Sequence, residues 1–334
     1  MRVTLLDIAK AAGVSVASVS MALRGRGNLS SATRERIKAL AEEMGYVPDP
    51  ALSSLSNYRK GNHVVKAAIG FVTSWPTRDG WKESFFLQKM HKGLVDEGLR
   101  FGYNIEDFWL GEKQMTAKRM SQIIFTRGIR GIVLPHQRKP RTRIKLEWDK
   151  FAVVAHRSAL ILPRFNYVSA DEYQGVRLAF HHLRHHGYRV PGLIMSRTYD
   201  VLSANLWRAG YLVEVQAYHP KSVGIPVFYL EQDSDLNELK KWLFTYKPDV
   251  LLGANYVFSL LLQCGVSIPD ELGFISLDLV NADGTIAGID SNAELLGRHA
   301  VHMLHLDMQT SNFGVPEVVR GLNVDGSWVD GATL

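Results

Sequence analysis

Ser15, Val16, Ala17, Ser18, Ser20 and Met21 follow a glycine at Gly13, close to the start of this 334-residue chain. Hydroxyls and bare methyls at helical spacing suit one kind of chemistry, contact with the phosphates and base edges of a nucleic-acid groove. Bond-making chemistry has weaker candidates. His181 and His185, like His182 and His186, stand four apart, a spacing that can hold a metal. No nearby carboxylate or cysteine completes a ligand set, and His299, His302 and His305 share that shortfall. Cys264 is the only cysteine; it follows the apolar run FSLLLQ and reads as a small buried hydrophobe in a reducing compartment. No GxGxxG follows an early strand and no P-loop occurs, so a dinucleotide-dependent dehydrogenase or a kinase is poorly supported. No catalytic set, metal or cofactor is expected.

Two short helices must position the first group. Thr4 with Asp7 forms a capping-box-like pair ahead of a helix over about 6–12, where Leu5, Ile8 and Ala12 share a face. Gly13 supplies the C-cap and Ser15 the next N-cap, for a second helix over about 16–23 with Val19 and Leu23 turned inward. Ser30 or Ser31 caps a third, ATRERIKALAEEMGY, whose apolar stripe is Ile37, Leu40, Ala41 and Met44. Such a three-helix unit equally fits a protein-docking bundle. Charge favours a polyanionic partner: residues 1–60 hold nine Lys/Arg and five Asp/Glu, so four of the chain's six net positive charges lie there.

Pro48 and Pro50 then break the pattern, leaving room for a helix of two turns at most over 51–57, too short to be stable alone. From about Lys66 short apolar runs (AAIGFVT, YNIEDFW, GIVLP, FAVVAH, NYVSA, PGLIM, PVFYL, DVLLGA, ELGFISL) alternate with helical stretches at 84–101, 114–128, 173–187, 203–216 and 234–246. This rhythm implies parallel sheets covered on both faces, over a length that suggests two lobes. The basic run RKPRTRIK reads as a solvated loop. There is no signal peptide and no apolar stretch long enough to span a bilayer, so a cytoplasmic location is expected.

The runs TLLDIAKAAGVSVASVS, TRERI and GYVPDPALSSL resemble the LacI/GalR family of bacterial transcriptional regulators. SFFLQKMHKGLVDEGLRFGY, RGIRGIVL, YVSADEYQGVRLAFHHLRHHGYR, SIPDELGFISLD and ELLGRHAV carry the likeness through the rest of the chain. The resemblance implies an N-terminal all-α helix-turn-helix DNA-binding domain (1–46), a hinge helix (47–60), and an effector-binding and dimerisation core (61–334). That core would be α/β, with two Rossmann-like, periplasmic-binding-protein-like lobes: an N-lobe of about 66–166 and 288–316, and a C-lobe of about 167–287 and 317–334. The crossovers would fall near 166–168, 286–290 and 315–320. It implies a homodimeric repressor on a pseudo-palindromic operator. Val16, Ala17 and Met21 would face base edges. Thr4, Ser15, Ser18, Ser20, Arg24 and Thr33 would touch phosphates or brace the reading helix, and Leu55 would wedge into the minor groove. Family members very often carry Arg where this chain has Met21. Arginine reads guanine; a thioether suits thymine methyls, so A·T pairs are expected beneath Val16, Ala17 and Met21.

The implied effector cleft departs further. Trp207, Tyr256 and His156 stand where the family places polar clamps, beside Arg157. Phe85 and Phe86 match the aromatic pair at the cleft mouth, and Asp278 keeps its place, for the ligand or for the hinge. Two readings stay open: a sugar-like or planar effector stacked on the rings, or a cleft plugged by them in a regulator controlled by a protein partner or by abundance. A solute-binding protein of the same core fold would need an export signal and no DNA reader. No heptad tail follows the core, which favours a dimer over a tetramer.

Overall fold

A computed structural model describes residues 4–23, 29–44, 46, 67–139, 142–157, 162–218, 224–230 and 236–334. The chain divides into two units, 1–65 and 66–334.

In the first unit, α1 (Leu5–Ala12), α2 (Val16–Leu23) and α3 (Ser31–Glu43) enclose Ile8, Ala9, Ala12, Val19, Ala22, Ile37 and Ala41. The Thr4 hydroxyl accepts from the Asp7 amide, and the Asp7 carboxylate accepts from the Thr4 hydroxyl at 2.6 Å and from the Thr4 amide at 2.9 Å; the last two bonds hold the Asp7 carboxyl below its usual range. Gly13 at φ 66° ends α1 in the left-handed region open to glycine. The axis then turns 104° into α2, within the range of a helix-turn-helix. An Arg36 guanidinium from α3 donates to the Ala12 carbonyl at 3.1 Å, satisfying an acceptor at the end of α1. Leu23, expected inward, is only half-buried; Ala22 fills the core beside Val19.

The second unit runs β1 (Ala67–Thr73), α4 (Phe85–Arg100), β2 (Tyr103–Trp109), α5 (Ala117–Thr126), β3 (Gly131–Leu134), β4 (Ala152–His156), β5 (Asn166–Ala170) and α6 (Glu172–His186). It continues through β6 (Pro191–Met195), α7 (Arg197–Leu202), α8 (Leu206–Tyr218), β7 (Phe228–Tyr229), α9 (Leu236–Tyr246), β8 (Val250–Gly253), α10 (Tyr256–Gln263) and β9 (Gly273–Ser276). It closes with β10 (Gly288–Asp290), α11 (Ala293–Gln309), β11 (Gly321–Val324) and β12 (Ser327–Val329). One sheet has the order β11-β5-β4-β3-β1-β2, entirely parallel; the other is β12-β10-β9-β8-β6-β7, parallel except for β12 against β10. The central strands are continuous apolar runs because helices cover both faces. In the first lobe α4 and α11 pack on one face and α5 on the other; in the second, α6 and α8 oppose α9 and α10. The two α/β lobes are those expected.

The chain passes between the sheets after Ala170, between Asp290 and Ala293, and between Val324 and Ser327. These passages lie beyond the expected 166–168, 286–290 and 315–320. A strand keeps its ladder hydrogen bonds within one sheet, so the chain leaves only at a strand's end. Consequently 167–170 and 321–324, expected in the C-lobe, belong to the first sheet, and 288–290, expected in the N-lobe, belongs to the second. Helices α4 and α11 touch backbone to backbone. A Cβ at Gly93 would stand 2.0 Å from the Glu294 carbonyl oxygen, and one at Gly297 2.1 Å from that of Met90.

Candidate nucleic-acid interface and interlobe cleft

The α2 helix buries Val19 and Ala22 completely and leaves the opposite side to solvent, with Val16 39% and Met21 36% exposed and Ala17 exposed beside them. Ala17 and Met21, one turn apart, form an apolar strip, with Val16 about 100° round the helix from Ala17. Ser15 starts the helix: its Oγ accepts from the Ser18 amide at 3.0 Å and lies 2.9 Å from the Ser18 hydroxyl. Ser30 does the same for α3, accepting from the Thr33 amide at 3.2 Å. Thr4, Ser15, Ser18 and Thr33, picked out as phosphate or bracing contacts, thus all take part in helix caps, and Ser20 is half-buried. Arg24 and Leu55 lie outside the described residues, as does the hinge over 47–60.

In the second unit, polar and aromatic side chains gather at the carboxyl ends of the parallel strands, where open α/β sheets place their ligands. From the first lobe come Phe86, His136 and His156, with ring centroids 5.5–5.8 Å apart. Burial pushes His136 down to about 4 and His156 to about 3, the neighbouring His136 and Arg157 adding to the latter, so both imidazoles are neutral near pH 7. The Arg157 guanidinium donates to Asn323 and lies 4.9 Å over the Tyr167 ring. From the second lobe come Trp207, stacked on Tyr199 at 5.7 Å, and Tyr256, 5.8 Å from Tyr199. The Trp207 indole N–H donates to Glu172, and the Tyr199 hydroxyl and the Asn255 amide donate to Asp278. Burial raises both carboxyls to about 7; for Glu172 the charge of Asp278 adds to the rise and Arg157 opposes it.

Of the residues singled out from sequence, Trp207, Tyr256 and Asp278 come together in the second lobe, and Phe86, His156 and Arg157 in the first. Phe85 stands apart, 40% exposed beneath the Lys89 ammonium. Trp207 is only 3% exposed and His156 7%, so both act more as filled wall than as open lining. Glu172, Tyr199 and His136 were missed. Their signal is positional, since each closely follows a buried strand.

No group of three or more His, Cys, Asp or Glu among the described residues could hold a metal. His185 and His186 bond the carbonyls of His181 and His182 one turn back, and His182 stacks on Trp328 at 3.8 Å. His302 bonds Glu97, and His305 bonds the Tyr103 hydroxyl. Cys264 is half-buried. No single described helix is long and apolar enough to cross a membrane.

Residues 4–49 match the family model of bacterial regulatory proteins, lacI family. The maltose regulon regulatory protein MalI of Escherichia coli (strain K12) is 29% identical over 192 residues, 56% of this chain and about half (52%) of that protein. The NTD biosynthesis operon regulator NtdR of Bacillus subtilis (strain 168) is 24% identical over 320 residues, 89% of this chain and 90% of the relative. Among solved structures, a complex of the transcriptional regulator CelR with cellobiose superposes with a TM-score of 0.61 at 19% identity, covering all of both chains. A lac repressor dimer bound to operator and the anti-inducer ONPF gives 0.56 at 16% identity, over 100% of this chain and 99% of that one.

Proposed function

We propose that this chain, whose residues 4–49 match the lacI family of bacterial regulatory proteins, is a cytoplasmic, homodimeric transcriptional repressor of that family that reads a pseudo-palindromic operator and responds to a small molecule held between its lobes. One observation carries the DNA-reading part: a capped α2, set at 104° to α1, presents Val16, Ala17 and Met21 to solvent. Two such helices enter successive major grooves, Arg24 and the caps of α2 and α3 meet phosphates, and Leu55 wedges the minor groove. The lac repressor neighbour, bound to operator as a dimer, supports this reading. With no arginine on the strip, A·T pairs lie beneath it.

The neighbour holding cellobiose supports a sugar-like or planar effector at Phe86, His156, Arg157, Trp207, Tyr256 and Asp278, with Phe85 at the mouth. Closure of the lobes would alter how the hinges pair and so change operator affinity, and operator must change effector affinity by the same factor. The burial of Trp207 and His156 favours a second reading, a cleft filled by its own rings in a regulator controlled by a protein partner. Selection from a random duplex pool at moderate salt tests the first part. Enrichment of an inverted repeat is expected, and recovery of no preferred sequence would refute it. A thermal-shift series of sugars, sugar phosphates, nucleobases and amino acids separates the two cleft readings, because a filled cleft responds to none.

A further inference from the structure

We propose that the cleft selects a cationic ligand, one whose ammonium group sits between the carboxylates of Glu172 and Asp278 and against the rings of Tyr199 and Tyr256. This rests on the cleft being a ligand site. Glu172 opens α6 and Asp278 follows β9 by two residues; the stacked Trp207 and Tyr199 rings join them, Trp207 bonding Glu172 and Tyr199 bonding Asp278, and Glu172 feels the charge of Asp278. Two carboxyls in one cluster ionise together readily only beside a counter-ion. Two described cations act nearby: the charge of Arg138 reaches Tyr199 while its guanidinium stands 5.8 Å over the Trp75 ring, and that of Arg157 reaches Glu172. The donors that bond Asp278 are the Asn255 amide and the Ser276 and Tyr199 hydroxyls, all neutral. Glu172 receives the neutral Trp207 indole, and the cation nearest to it in effect, Arg157, is turned to Asn323 and Tyr167.

The surrounding rings sharpen the choice. Tyr199 is half-buried, with Trp207 stacked on it, and Tyr256 is 38% exposed; ring faces of this kind attract cations and repel anions. Across the cleft His136 and His156 are neutral and add no repulsion to an ammonium. A neutral sugar would leave the two carboxylates uncompensated, and an anion would meet them directly. A metal ion would find only two carboxylates here, short of a usual oxygen cage.

Titration calorimetry on the full chain at pH 7 tests this with matched pairs: glucosamine against glucose, and benzylamine against benzyl alcohol. The aminated member of a pair is expected to bind at least about tenfold more tightly, as a desolvated cation–π contact and ion pair require. Its binding should release protons, seen as a buffer-dependent heat, because carboxyls poised at about 7 ionise beside a cation. Glu172→Gln keeps an acceptor for the Trp207 indole, and Asp278→Asn keeps one for the Asn255 amide. Each should weaken the aminated member at least about tenfold more than its neutral partner. Equal or tighter binding of the neutral members, an equal loss for both members in the variants, or Ca²⁺ binding in place of amines overturns the proposal alone. No binding by any of the four, nor in the broader thermal-shift series, overturns the ligand-site reading and this proposal with it.

Discussion

Replacing Glu172 by Gln should stabilise the unliganded protein at pH 8. The Glu172 carboxyl is held at about 7 against an ordinary 4.5, first by burial and then by the charge of Asp278. At pH 8 the folded state therefore carries a charge that the unfolded chain carries in water at no penalty. The difference sets a ceiling of ~3 kcal/mol. The partial exposure of the site and its coupling to Asp278 bring the expected gain to about 1–2 kcal/mol. The sign follows from linkage. Below about pH 4 Glu172 is protonated in both states and contributes fully; between there and pH 7 the unfolded chain ionises first, so the contribution falls as pH rises. The gain from Gln should thus be absent at pH 4 and complete by pH 8. His136 and His156 act oppositely: their folded values are lowered, so their contribution is present above about 6.5 and is lost as pH falls toward 4 and 3. Urea unfolding followed by tryptophan fluorescence suits the measurement, because all seven tryptophans lie in the second unit. A loss of stability at pH 8, or a gain independent of pH, would refute the reasoning.

Gly297→Ala forces a methyl against the Met90 carbonyl, where no flexible side chain can give way, and should lower the urea midpoint by an amount worth about 1–3 kcal/mol or more. Ser15→Ala removes the α2 cap and should cost the first unit about 0.5–2 kcal/mol, read by helix melting in circular dichroism; an unchanged melt would count against the cap. Met21→Arg should move operator preference toward guanine at one position per half-site by about 1–3 kcal/mol in a base-substitution scan. If the scan finds the native protein already discriminating for guanine there, the reading of the apolar strip fails.

Caps and long apolar runs made much of the fold legible. Thr4, Asp7, Gly13 and Ser15 delimit the first two helices through local bonds, which need no knowledge of the tertiary structure. Strands β1, β3, β4, β6, β8 and β9 were visible because burial on both faces demands unbroken apolar stretches. The short strands β10, β11 and β12 were not: GID, GLNV and SWV have only three or four residues, and their place depends on partners far along the chain. That is why the passages between lobes were set too early. PVFYL shrinks to the two-residue edge strand β7. In the cleft, large rings at Trp207 and Tyr256 stood out by type. Glu172 did not, because an acid in the first turn of a helix is ordinary. Only the fold sets it beside Trp207 and Asp278.

The α11 helix and strand β11 complete the first lobe although the second lobe is encoded before them. Leu296, Ala300, Val301 and Leu304 share a core with Ile69, Phe71 and Leu94, more than two hundred residues upstream. During synthesis a ribosome must therefore make all of the second lobe's strands β6 to β10 before that early-made sheet is roofed, leaving its apolar face to chaperones or to aggregation meanwhile. A premature stop near codon 291 would cripple the lobe translated first, and not merely shorten the one translated last.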